Sequence, residues 1–99
     1  MFIGTCKFTI RLPENLDLKG KRRIVKSLCS KLRNQFDIAI AEVGSLDLWQ
    51  IAELGLAYVS NDKKHAESVL SNIIEYIHNE LHGDFELIDH KIEILSNGK

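Results

Sequence analysis

Three patterned observations predict an α+β domain of order βαββαβ. The chain opens with strict polar–apolar alternation, carries two stretches of helical apolar spacing, and places a pair of β-branched runs between them. In 99 residues that order is the ferredoxin-like arrangement, a four-stranded antiparallel sheet with two helices on one face.

The first strand is predicted near residues 1–12, where Phe2, Cys6, Phe8, Ile10 and Leu12 alternate with Ile3, Thr5, Lys7, Thr9 and Arg11. Pro13 ends it, because proline brings no backbone N–H to a ladder. Asp17 is placed to cap a helix near 18–35, in which Ile24, Val25, Leu28, Cys29 and Leu32 recur at helical spacing. DIAIAEV supplies a strand near 36–44, and IAELGLAYV one near 51–60; the short link containing Gly44 and Asp47 makes them a hairpin. Asn61 or Asp62 then caps a helix near 62–82. Its inner face is Ala66, Val69, Leu70, Ile73, Ile74, Ile77 and Leu81, with Gly83 positioned for a left-handed C-terminal cap. The last strand is predicted near 85–95, and its apolar phase switches between Leu87 and Ile88, as a β-bulge allows. Residues 1–95 are thus read as one domain and 96–99 as a flexible tail.

An apolar content of 44% with 27% charged residues excludes a disordered chain. The start MFIGTCKFTI has no basic leader region and alternates throughout, so it reads neither as a signal peptide nor as a membrane span, and a cytoplasmic setting is expected. Cys6 and Cys29 lie in apolar patterns, far apart and outside any CxxC spacing; both are expected to be reduced, buried thiols.

The formal net charge of −1 conceals an asymmetry. Lys19, Lys21, Arg22, Arg23, Lys26, Lys31 and Arg33 lie within LKGKRRIVKSLCSKLRNQF, Leu18–Phe36, which contains no acid, so the remainder of the chain is strongly negative. On a helical wheel with Leu28 at zero and steps of about 100°, Arg22, Lys26 and Arg33 fall at about 120–160° and Arg23 near 220°, opposite the apolar arc. A solvated helix side normally mixes signs to gain i,i+4 pairs. This one has no acid to pair with, which points to a polyanion. The sheet lacks the paired aromatics of a base-stacking platform, so contacts to phosphate are expected rather than to base edges.

A second candidate is EVGSLDLWQ, Glu42–Gln50, which holds the only Trp of the chain. Two readings stand: Asp47 caps a turn and Trp49 closes the core edge, or Glu42, Asp47, Trp49 and Gln50 form a partner-binding segment with Trp49 as its amphipathic anchor. His78 and His82 share i,i+4 spacing, but no third ligand accompanies them, and no metal or other cofactor is expected. No catalytic set is evident either. The cysteines are read as inert, and Pro13 to Lys19 lacks the glycine-rich phosphate loop of the small acylphosphatases that share this topology.

Strands two and three carry apolar residues on both sides: Ala39, Ala41 and Val43 oppose Ile38 and Ile40, while Ile51, Ala57 and Val59 oppose Leu54, Leu56 and Tyr58. Part of the leftover sheet face is therefore expected to be covered by another copy of the chain.

Leu12–Pro13, LKGKRRIVKSL from Leu18 to Leu28, and AEVGSLDLWQIAELGLAYVS from Ala41 to Ser60 resemble the small bacterial YlxP-like proteins, a family classed as a domain of unknown function. The resemblance covers nearly the whole chain. It implies a ferredoxin-like fold, a bacterial cytosol, and genes often beside those for translation initiation and ribosome maturation. Members typically read LKEKR in the first motif, where Gly20 stands here; this removes a possible capping-box acid and is expected to loosen the first turn. The expected function is a non-enzymatic RNA- or ribosome-associated binding protein that grips phosphates with Lys19, Lys21, Arg22, Arg23, Lys26 and Arg33. The alternative is a homo-oligomeric regulatory or scaffolding module that binds a protein or small ligand through its open sheet face.

Overall fold

A computed structural model describes residues 1–81 and 83–96. The elements are β1 (Phe2–Arg11), α1 (Leu18–Gln35), β2 (Ala39–Gly44), β3 (Ile51–Ser60), α2 (Lys63–Glu80) and β4 (Glu86–Ser96). They form one antiparallel sheet of order β2-β3-β1-β4. This is the ferredoxin-like α+β fold.

The alternation in β1 does what it predicts: Cys6, Phe8 and Ile10 are buried, while Lys7 and Arg11 point to the other face. Cys6 sits opposite Leu56 of β3 and Ile92 of β4, so the inward residues of three strands meet in one layer. Val25, Leu28, Cys29 and Leu32 of α1 and Ala66, Leu70, Ile73 and Ile77 of α2 close that layer from the helix side. α2 covers β1, β3 and β4, whereas α1 lies over β2. The two helices are tied by an edge-to-face contact of Phe36 and Tyr76 at 5.5 Å between ring centroids.

Asp17 caps α1 by accepting a hydrogen bond from Gly20 N at 2.7 Å, and Asp62 caps α2 by accepting one from Lys64 N at 3.1 Å. The phase switch in the last strand is a bulge: Thr9 faces Asp89 and Ile10 faces Leu87, which leaves Ile88 unpaired in register. A second bulge lies on the other edge, at Val43, because Glu42 faces Leu54 and Gly44 faces Glu53.

Three boundaries differ from expectation. β2 begins at Ala39 rather than 36, because Phe36 turns extended to cap α1 and its N–H bonds Leu32 O. β4 runs through Ser96, paired with Phe2, so only 97–99 of the expected tail lie beyond it, outside the described residues. Gly83 does take a positive φ of 116°, but two residues past the α2 cap Leu81, where it turns the chain toward β4. His82, half of the histidine pair, lies outside the described residues as well. Among those described, no group of three metal-ligating side chains converges, and no helix is long and apolar enough to cross a membrane.

Candidate functional site: the basic helix and its braced loop

One of the seven α1 cations is buried. Lys21 is 1% exposed, and its ammonium reaches across to the hairpin loop, donating to Ser45 O at 2.7 Å, Leu48 O at 2.7 Å and Ile51 O at 3.0 Å. Those three bonds use all three of its donors. Glu42 Oε2 lies 2.8 Å from the same nitrogen and receives its charge without a hydrogen bond of its own. The sequence placed Lys21 among the phosphate-binding residues; its burial removes it, since no anion in solvent can reach it. The signal was present, because Lys21 is seven residues before Leu28 and returns to within about 20° of it on the wheel, inside the apolar arc. Glu42 likewise continues the inward alternation that begins at Ile38, just before β2, and passes through Ile40.

The other cations stay outside. Lys19, Arg22, Arg23, Lys26 and Arg33 are exposed, and among the described residues none lies within ion-pair distance of a carboxylate. Arg33 touches Ile40 O at 3.5 Å, which fixes the flank carrying Arg22, Lys26 and Arg33 as the one facing the outer edge of β2. Lys31 lies on the opposite flank, beside Asp84 and Phe85. The first turn of α1 contains no acid, although the positive end of a helix dipole favours one by about 0.3–1 kcal/mol each. Cations crowd that end instead.

Beyond the N-terminus of α1, two loops are cross-braced. Asn15 Nδ2 donates to Asp17 O and to Trp49 O, each at 2.7 Å, while Gln50 Nε2 donates to Pro13 O at 3.2 Å and Asn15 O at 3.1 Å. Gln50 O accepts from Leu12 N at 2.8 Å. Gly20 makes room for this brace: a Cβ there would collide with Asn15 Oδ1. The turn expected to be loosened by Gly20 keeps its cap and takes in the asparagine.

The loop so held presents apolar side chains outward. Trp49 is 54% exposed and Leu16 76%, with Leu46 and Leu48 also exposed; Trp49 therefore does not close the core edge. Leu16, Asp47, Leu48, Trp49, Gln50 and Ile51 line an open groove of about 510 Å³. Of the four residues read as one partner-binding segment, Asp47, Trp49 and Gln50 line this groove, whereas Glu42 points inward to Lys21.

Ser45 completes the turn in a left-handed conformation, φ 55°, which costs a non-glycine residue energy. Its carbonyl goes to Lys21 and its hydroxyl to Glu53 Oε2 at 2.5 Å. The hydroxyl, then the hydrogen bond and charge of Lys7, hold the Glu53 carboxyl below the usual glutamate range. Away from this end, burial pushes the Cys6 thiol up to about 11 and raises that of Cys29, so neither supplies a thiolate nucleophile near neutral pH.

The outer sheet face is small and apolar over β2 and β3. Ala39, Ala41, Gly55 and Ala57 floor a shallow trough between Val43 on one side and Lys7, Lys91 and Glu93 on the other. At the trough's end Val59, Ile3 and Leu95 line up across three strands.

Residues 3–92 match the family described as Protein of unknown function (DUF503). The chain belongs to that family. It is also 33% identical over 60 residues to a protein of Bacillus subtilis (strain 168) described as uncharacterized protein YlxP; the match spans 61% of this chain and 65% of that protein, just under two thirds of its length. The resemblance seen in LKGKRRIVKSL and AEVGSLDLWQ thus holds, and the buried Lys21–Glu42 contact joins those two motifs in space.

Proposed function

We propose that this DUF503 protein is a non-enzymatic RNA-binding protein, active on the ribosome or its precursors, which grips phosphates along the outer face of α1. The observation that supports the reading is the row Lys19, Arg22, Arg23, Lys26 and Arg33, exposed and without a carboxylate in ion-pair range among the described residues. Stability alone would place acids at the first turn of a helix, or mix them along its outer face. A phosphate backbone supplies the missing negative charge, and the N-terminal end of α1 adds its dipole.

Neutralising about five phosphates gives a salt slope near −3 to −4 for a single strand. Anisotropy titration of labelled ribosomal RNA fragments against salt tests this, alongside the reversal R22E/R23E/K26E. Those side chains project away from the core, so the variant should stay folded and lose binding. Equal binding by both proteins, or none by either at low salt, rejects the proposal.

A second reading is self-association through the open sheet face, supported by the exposed Val59 and Leu95 aligned on either side of half-buried Ile3, beside the alanine-lined trough. Light scattering should give a dimer or larger, reduced to a monomer by V59K/L95K. A monomer in the parent protein at micromolar concentration rejects this reading.

A further inference from the structure

The basic face of α1 and the apolar loop tip lie on different elements of the chain. Their bracing makes them one surface. Asn15 links the α1 cap Asp17 to the Trp49 carbonyl, and Lys21 pins Leu48 and Ile51 to the first turn of the helix. Lys21 holds the start of α1 against the loop and Arg33 at its other end reaches Ile40 O of β2, so the flank carrying Arg33, Lys26 and Arg22 leads along β2 toward the loop that presents Trp49.

An ordinary loop of this length would fold Trp49 and Leu48 inward or let them move. Here the backbone is held by the side chains of Asn15 and Lys21, and the loop's own Gln50 side chain ties back to the Pro13 and Asn15 carbonyls, while the indole and the leucines remain in water. Such pre-organisation of an exposed aromatic lowers the ordering cost of a contact with something flat and apolar. Charge divides the surface further. Asp17 is engaged in its cap, but Asp47 lies on the groove rim, and its carboxylate keeps phosphate off the tip. Phosphates belong on the helix and an uncharged ring on the loop.

We infer that the groove at Trp49 takes an unpaired nucleobase, stacked on the indole and flanked by Leu48 and Leu16, while the adjoining phosphates run onto Arg22 and Lys26. The inference rests on the RNA reading of α1 and narrows it to single-stranded segments, since a base within a duplex offers no free face to a side chain. It also answers the absence of paired aromatics on the sheet: the stacking group sits at the end of the basic helix instead.

Because Trp49 is the only Trp, the tryptophan emission of the intact chain, excited at the red edge where Tyr58 and Tyr76 do not absorb, reports on this site alone. Titration with a single-stranded oligonucleotide should quench it to saturation, and a duplex of equal length should not. W49A should weaken single-strand binding by roughly 5- to 150-fold, the worth of one base stack, without altering the salt slope set by α1. W49F should retain most of the affinity. If single strands bind in a manner sensitive to R22E/R23E/K26E while the fluorescence stays flat and W49A binds like the parent, the stacking site is wrong and the phosphate reading survives. If no RNA binds the parent at low salt, both fall. Should W49A prove unfolded, quenching in the parent and the W49F affinity still decide.

Discussion

Replacing Lys21 by methionine tests the brace most directly. Methionine keeps the unbranched stem and most of the volume, so the packing change is small and the loss is that of the ammonium. Three carbonyls, Ser45 O, Leu48 O and Ile51 O, lose their donor, and Glu42 loses its counter-charge. Residues 46–50 are exposed, so water rehydrates part of that set; one acceptor left dry costs about 1–3 kcal/mol. Stranding a buried carboxylate costs about 3–5 kcal/mol, and here less, because the Glu42 side chain keeps 18% exposure. The sum is near 3–5 kcal/mol, a large part of the roughly 5–15 kcal/mol expected for a domain of this size. Urea unfolding followed by circular dichroism should show that loss for K21M, and less than about 0.5 kcal/mol for the exposed neighbour variant K19M. The double variant K21M/E42Q should be more stable than additivity allows, by about 1–3 kcal/mol. If K21M and K19M unfold at the same urea concentration, the three carbonyls are held by something else and the account of the braced loop is refuted.

The remaining expectations concern the core and the titrating groups. Cys6 and Cys29 should resist a thiol reagent at pH 8 in the native protein and react on unfolding; rapid native labelling contradicts their burial. The folded Cys6 value of about 11 lies above that of an unfolded thiol, so its stabilising contribution is complete below about pH 8.5 and is lost as pH rises toward 11, a decline that C6A should reduce. For Glu53 the sign is opposite. Its contribution is present above the ordinary glutamate range and disappears as pH falls through the depressed folded value, and S45A should move its carboxyl resonance titration upward; an unmoved titration assigns the shift to Lys7 alone. A Cβ at Gly4 would lie 2.6 Å from Leu70 Cδ1, so G4A should cost about 1–3 kcal/mol and lower Tm by at least about 4 °C; a neutral result would mean that Leu70 has room to move.

The fold was legible because each element carries its own period. β1 alternates, α2 repeats its apolar residues at helical spacing, and even the bulge at Ile88 shows as a phase error between Leu87 and Ile88. The site was legible only in outline. Lys21 hides in a run of bases that composition treats alike, and what separates it from Lys19 is wheel angle together with an inward Glu42 some twenty residues later. The Trp49 brace left still less trace: Asn15 and Gln50 are common loop residues, and their bonds run to backbone oxygens, which have no letter in a sequence.

The interlock of Gly20 and Asn15 has an evolutionary reading. An amide at position 15 and a bare backbone at position 20 occupy one shared volume, so neither can change freely while the other stays. Installing by G20E the glutamate that the family resemblance implies should by itself evict the Asn15 side chain and release the Trp49 carbonyl. With N15A beforehand, the same glutamate enters an emptied space and can fold back on the Asp17 N–H. The order of the two steps therefore matters: the path through N15A crosses an intermediate that has lost one brace, and the path through G20E crosses one that has lost the brace and gained a collision. A relative bearing both glutamate at this position and a tryptophan loop should hold that loop by another route, and position 15 is where that difference should be sought.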